Sequence, residues 1–387
     1  MGTKINNHIV YIVLLAALPQ TCLSFTSLKE IMTYMETHDE YPDSDEQMWK
    51  NPNYSNYHKR IAPSVFETIL EACGIIQPLW SFNEFAQRLI ESVHTHTHQK
   101  NIVGIAVATD TTEQLIVIGD LFGSFFSLAR ICKDLFDKGM IDETLTIIAP
   151  HTSLLFLGNL MGASPYCLET LTVLLMIQKQ NPTKAIFLRG LHEDRKRWFT
   201  ESLFWEMEAR SKLTGEALRV TNHTIDEFFK ALPRGCIISC TNHTEIFLCI
   251  PADALNELNP EEQQSCLQGF TEEFELWCGK HKDSTSALSI CTPQVIMETR
   301  RAWDTVFPTP PLTFVPPTHN KPGTWRFTSG QTRTNRQLFR SRWEGYVLIT
   351  IPTTLQRATL ELQVRPVNTS NPLHSRGLFN LISGQEI

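Results

Sequence analysis

The sequence predicts a mixed α/β fold in which two sheets pack on one another and helices flank them. Three observations carry this expectation. From about residue 115 to 188, short β-branched runs alternate with segments of helical period, the pattern of strands joined by crossover helices. Each of those strand-length runs ends near a glycine flanked by polar residues, at Gly119, Gly158 and Gly190, and in such sheets ligands sit at the carboxyl ends of strands. Further apolar runs downstream of residue 235 supply more strands. With 387 residues, 42% hydrophobic and 19% charged, the composition excludes a disordered, collagen-like or polytopic membrane chain.

Taken in order, residues 1–24 read as a signal peptide. Lys4 is their only charge, Ile9 to Leu18 is apolar, and Cys22-Leu23-Ser24 places small residues two apart before Phe25. The apolar run is short of the ~20 residues a membrane span needs, so an exported chain with no span in its mature part is expected. Residues 25–60 read as an acidic N-terminal extension or arm without sustained period, and residues 61–387 as one domain. Ser64-x-x-Glu67 and Ser81-x-x-Glu84 are capping boxes opening helices over 64–73 and 82–93. Ile102 to Ala108 and Leu115 to Ile118 read as a hairpin-like pair.

A helix follows over 124–138 with Phe125, Leu128, Ile131, Cys132 and Leu135 inward. Then come a strand at 154–157, a helix at 167–179, a strand at 185–188 and a helix at 224–232. Cys236 to Ser239 and Glu245 to Cys249 read as a second hairpin, and Tyr346 to Ile351 and Ala358 to Val364 as closing strands. Residues 308–322 hold six prolines and read as an extended insertion, because each proline fixes φ and lacks a donor.

Nine cysteines remain after Cys22, with no C-x-x-C pair, so ordinary zinc-knuckle spacing is absent. Cys236, Cys240 and Cys249 alternate with apolar residues and read as buried free thiols. Residues 321–387 carry nine Lys/Arg against three Asp/Glu in a chain of net charge -7. Lys321, Arg326, Arg333, Arg336, Arg340 and Arg342 lie among Trp325, Phe327, Phe339 and Trp343, which suits either an anion-binding surface or a solvated strand face. His94, His96 and His98 would share one face of a strand, or mark the frayed end of a helix. Asn53, Asn222, Asn242 and Asn368 open N-x-[ST] triplets.

Three strand-end motifs fall in one order: Gly119-Asp120-Leu121-Phe122-Gly123, then Gly158-Asn159-Leu160-Met161-Gly162-Ala163 with Leu168-Glu169-Thr170, then Leu188-Arg189-Gly190-Leu191-His192-Glu193. They resemble the G-D-x-H-G, G-D-x-x-D-R-G with L-E-T, and L-R-G-N-H-E motifs of the serine/threonine phosphoprotein phosphatases, a calcineurin-like metallophosphoesterase family. The resemblance is good over about residues 110–255 and faint over 320–365. It implies a metallophosphoesterase-like two-sheet sandwich and two adjacent metal ions that hold phosphate and generate hydroxide. Two dications about 4 Å apart repel by on the order of 16 kcal/mol at an effective dielectric near 20, which carboxylates and imidazoles must offset.

Residue by residue, the resemblance implies that Asp120 keeps the first ligand position. Phe122 stands where the family has a His, Asn159 where it has the bridging Asp, Leu191 where it has the Asn, and Ile250 where it has a later His. His192 matches the general acid, while Gly162 replaces the Asp that orients it and Ala163 the Arg that clamps phosphate. An unpaired His has little leverage. The degenerate motifs imply a pseudophosphatase, with no cofactor expected, His192 vestigial, and Asp120 and Asn159 vestigial metal positions. Such a chain would serve as an exported scaffold for a protein partner, with nucleic acid not expected. The alternative is a diverged phosphoesterase holding manganese, iron or zinc through Asp120, Asn159 and unaligned ligands.

Overall fold

The computed structural model describes residues 25–38, 82–95, 102–107, 112–162, 164, 166–210, 215–240 and 246–249. It also describes the strand residues 313–315, 324–326, 345–351, 361–366, 379–380 and 385–386. The signal segment, residues 64–73, Ala163, Ile250, His96 and His98, and all of 321–342 except 324–326 lie outside them.

The central sheet has five strands: β2 (Glu113–Ile118), β3 (Thr152–Phe156), β4 (Ala185–Phe187), β9 (Gly345–Ile351) and β10 (Glu361–Pro366), in the order β10-β9-β2-β3-β4. β2, β3 and β4 are mutually parallel, and β9 closes antiparallel on β2. Helix α3 (Phe125–Asp137) connects β2 to β3, and helix α4 (Cys167–Gln180) connects β3 to β4. Parallel pairing of this kind requires such crossovers and carries the carboxyl ends of all three strands to one side. The mixed α/β class is as the sequence predicts.

A second sheet holds β1 (Ile102–Val107), β5 (Gly235–Cys240) and β6 (Ile246–Cys249) in the order β1-β5-β6. The expected β5–β6 hairpin is there, and so is the closing β9–β10 pair. The expected β1–β2 hairpin is not. β1 pairs parallel with β5, Ile102 opposite Gly235, while both edges of β2 are taken by β3 and β9. The reason is legible afterwards: β1 is apolar at every position, as a strand in a parallel pair tends to be, and does not alternate like a one-sided hairpin strand. In the proline-rich stretch, β7 (Thr313–Val315) pairs with β8 (Thr324–Arg326) where an extended connection was expected. These three residues lie between proline pairs and keep their N–H donors.

Residues 28–37 also depart from the expectation of a polar arm. They form helix α1 (Leu28–Thr37), capped by Ser27, whose hydroxyl accepts from the Glu30 amide at 3.4 Å. Phe25, Leu28, Ile31 and Tyr34 are buried, and Phe25 stacks on Phe125 of α3 at 5.8 Å. The Tyr34 hydroxyl donates to Glu169 of α4 at 2.6 Å in the interior. α2 (Phe82–Thr95) buries Phe85 and Leu89 and packs against α4, with Lys179 and Glu91 paired at 2.9 Å.

α4 shows why its sequence reads as apolar nearly all round. Every residue from Cys167 to Gln178 is buried, among α2, α3, α6 (Ser202–Arg210) and β4. Helix α5 (Arg195–Trp198) is a single turn, and α7 (Gly215–Ala231) extends the predicted 224–232 helix by more than two turns toward its N-terminus. Asn222 therefore lies inside a helix, not on a loop suited to glycosylation.

Candidate functional site

The three strand-end motifs converge on one buried layer. The loop after β2 places Leu121 and Phe122, whose amides both donate to the Asn159 carbonyl, at 3.1 and 2.9 Å, and Gly123 donates to Leu160 at 2.8 Å. The loop after β3 turns at Gly158 and Asn159, with φ of +96° and +49°. Left-handed backbone suits both, since Gly has no Cβ and the short Asn side chain tolerates the region. Phe122 shares it at φ +52°, an outlier for a bulky side chain that the two flanking amide contacts hold in place.

Glu193 binds these loops together. Its carboxylate is fully buried and accepts from the amides of Asn159 at 2.9 Å, Met161 at 3.0 Å and Gly190 at 2.7 Å. Burial pushes its pKa up against the opposing pull of those donors. Gly190 is required by close approach: a Cβ there would lie 2.2 Å from the Asn159 nitrogen. A Cβ on Gly162 would lie 2.9 Å from the Phe122 backbone. In Leu168-Glu169-Thr170, Thr170 donates to the Gly123 carbonyl at 2.9 Å and Glu169 takes the Tyr34 hydroxyl.

Above this layer sit the residues singled out from sequence. Asn159 is completely buried, and its amide nitrogen donates to Asp120 Oδ1 at 3.2 Å. Its amide oxygen accepts from the His192 backbone N–H at 3.3 Å, which fixes which end of the amide faces the carboxylate. Asp120, Asn159 and His192 are thus brought together. Phe122 meets the His192 ring edge-to-face at 5.3 Å.

One expectation is corrected here. With Gly162 in place of an aspartate, His192 was expected to be unpaired. Its Nδ1 instead lies 2.9 Å from Glu201 Oε2, a carboxylate nine residues downstream at the head of α6. Burial alone lowers the imidazole's proton affinity. The hydrogen bond and charge of Glu201, with Glu193 and Asp120 behind it, outweigh that and hold its pKa above the ordinary value.

Neighbouring groups complete the picture. Arg189 has its amide on the Pro233 carbonyl at 2.7 Å and its guanidinium 3.5 Å from Asp194. Burial, then the nearby Arg234, lowers its pKa. Cys167, beneath Gly123, is a free thiol whose pKa is raised by burial and then by Glu206, so it is inert. Cys132 and Cys236 are buried free thiols too. His223, Asp226 and Glu227 meet on α7, where Lys230 already lies 2.7 Å from Asp226 and 3.4 Å from Glu227.

No family model matches the chain. Individual curated proteins do. It is 32% identical over 80 residues to the serine/threonine-protein phosphatase 6 catalytic subunit of Drosophila melanogaster, covering 21% of this chain and 23% of that protein. It is 28% identical over 167 residues, 43% of this chain and 34% of the relative, to the serine/threonine-protein phosphatase PP2A-like PPG1 of Candida albicans. Over these stretches this chain is similar in sequence to serine/threonine-protein phosphatases. It spans about a quarter to a third of the length of the curated relatives it matches. A solved serine/threonine phosphatase from Saccharomyces cerevisiae, with similarity to human phosphatase PP5, is 16% identical, with a TM-score of 0.34, over 46% of this chain and 52% of that one.

The phosphatase likeness implies a metal pair, and the described donors do not fit one. Phe122 and Leu191 offer no donor atom. Asn159 turns an N–H, not an oxygen, toward the Asp120 carboxylate. One carboxylate facing an amide donor cannot offset the mutual repulsion of two dications.

Proposed function

We propose that this phosphatase relative is a catalytically inactive pseudophosphatase, exported, that serves as a scaffold for a protein partner. The observation that carries the reading is the Asn159 amide: it spans from Asp120 to the His192 backbone and so ties two strand ends where the family's chemistry needs cations. The replacement of His, Asp and Asn ligand positions by Phe122, Asn159 and Leu191 supports it, as does Ala163 where phosphate would meet an arginine. Export rests on the Ile9 to Leu18 run and the Cys22-Leu23-Ser24 site, and N-terminal sequencing of secreted protein should begin at Phe25.

The test is metal content together with hydrolysis of an aryl phosphate in added manganese, with Asp120→Ala as control. Neither stoichiometric metal nor Asp120-dependent turnover is expected. Metal-dependent turnover lost on Asp120→Ala would overturn the proposal. A second reading, a diverged phosphoesterase, draws on one observation: the His192–Glu201 pair retains the geometry of an oriented acid–base group.

A further inference from the structure

Between His192 and Glu201 the chain makes a closed loop. The 2.9 Å contact of these two side chains staples its base, and Trp198, fully buried against Phe229 at 6.3 Å, pins its middle. Asp194 caps the turn, its Oδ1 accepting from the Lys196 amide at 2.9 Å. Arg195, Lys196, Phe199 and Thr200 are exposed, with Asp194 and Arg197 partly exposed beside them.

The surface-facing charge of this loop is positive, since Glu193 is buried and Glu201 is paired with His192. Arg195 is 62% exposed and its nearest carboxylate, Asp226, is 3.9 Å away and already held by Lys230 at 2.7 Å. Asp194 is occupied as a cap and by Arg189. On a chain of net charge -7 the patch is a local reversal of sign. Phe199, 36% exposed, is one of two exposed large hydrophobic residues among those described. Its ring packs on Phe204 with centroids 4.1 Å apart and planes tilted by 31°, and the Arg195 guanidinium lies 5.9 Å from its centroid.

We infer that Arg195, Lys196 and Phe199 form a pre-organised docking patch for an acidic segment of a partner protein, its carboxylates on the two cations and one apolar side chain against Phe199. This deepens the scaffold reading and rests on it for the kind of partner. Charge complementarity selects the acid, and the stapled loop lowers the ordering cost of binding. A peptide fits better than a nucleic acid because the overall negative charge repels a long polyanion.

The experiment uses the full chain and a fluorescein-labelled peptide of Asp and Glu around one Leu, followed by anisotropy at two salt concentrations. Binding is expected, weaker at higher salt, with a loss of about tenfold on Lys196→Glu and a smaller loss on Lys196→Gln and Phe199→Ser. Thermal melts of these exposed-site variants verify folding. The inference is overturned if the peptide does not bind, if Lys196→Glu leaves affinity unchanged, if Arg340→Glu in the second basic stretch accounts for the loss, or if oligodeoxythymidylate binds more tightly. Failure of the parent reading is separable: metal-dependent turnover with peptide binding intact sinks the inactive scaffold and leaves the patch standing.

Discussion

Two layers of one site behave differently. The lower layer, Glu193 with Gly190 and Thr170, satisfies backbone groups and clears space where three strand-end loops cross, and its residues match the phosphatase motifs. In the upper layer, Phe122, Asn159 and Leu191 stand at positions from which the family reaches ligands, and none of them matches. The difference separates what a motif does for the fold from what it does for chemistry. A glutamate that accepts three buried amides is needed whether or not a metal sits above it, because stranding those donors is costly. A ligand residue is needed only for the ligand.

The sharpest way to break this comparison is to damage the lower layer. Glu193→Ala leaves the Asn159, Met161 and Gly190 amides buried without their acceptor and should cost about 3–5 kcal/mol in thermal or denaturant unfolding. Gly190→Ala forces a methyl into the Asn159 amide and should cost about 3 kcal/mol. Phe122→His, in the upper layer, should cost less than about 1 kcal/mol, since it also leaves a strained left-handed residue behind. If it costs as much as Glu193→Ala, the two layers are not separable.

Asn159→Asp sharpens the same contrast. It sets a second carboxylate where an N–H now lies 3.2 Å from Asp120, a repulsion on the order of 5 kcal/mol at an effective dielectric near 20. Shared proton uptake relieves most of it, leaving a net loss of about 2 kcal/mol at neutral pH. Because the paired acid has a raised folded pKa, stability should fall as pH rises. Manganese should narrow the gap between variant and parent, read as a melting temperature that climbs with metal in Asn159→Asp alone. Equal climbs in both proteins would mean that the parent site already accepts a cation.

How much of this was legible in the sequence depends on the range of the interaction. Local signals worked: capping, alternation and helical period placed α2, α3, α4 and most strands of the central sheet. Long-range partners failed, as β1 shows, because an apolar run does not say which sheet receives it. α1 was missed although Ser27-x-x-Glu30 is the same capping signal read at two later positions, since charged residues downstream masked its short apolar stripe. Its docking is testable: Tyr34→Phe removes the donor to buried Glu169 and should cost about 1–2 kcal/mol. Glu201 was invisible for another reason. The motif directs attention to position 162 for the histidine's partner, and no spacing rule points nine residues the other way.

The smallest effect bears on that substituted partner. Since Glu201 helps raise the folded pKa of His192 above its unfolded value, the pair stabilises the folded state fully below the unfolded pKa, about 6.5. That contribution disappears as pH rises through the raised folded pKa. Glu201→Gln should therefore lower the melting temperature modestly at pH 5.5 and scarcely at all at pH 9. The same variant also loosens the staple beneath Arg195 and Lys196, so acidic-peptide affinity should fall with it, and the fall should be larger at low pH, where the ion pair is intact in the parent. A stability loss independent of pH would instead mark Glu201 as a packing residue whose charge is incidental, and would leave His192 without an electrostatic partner that matters.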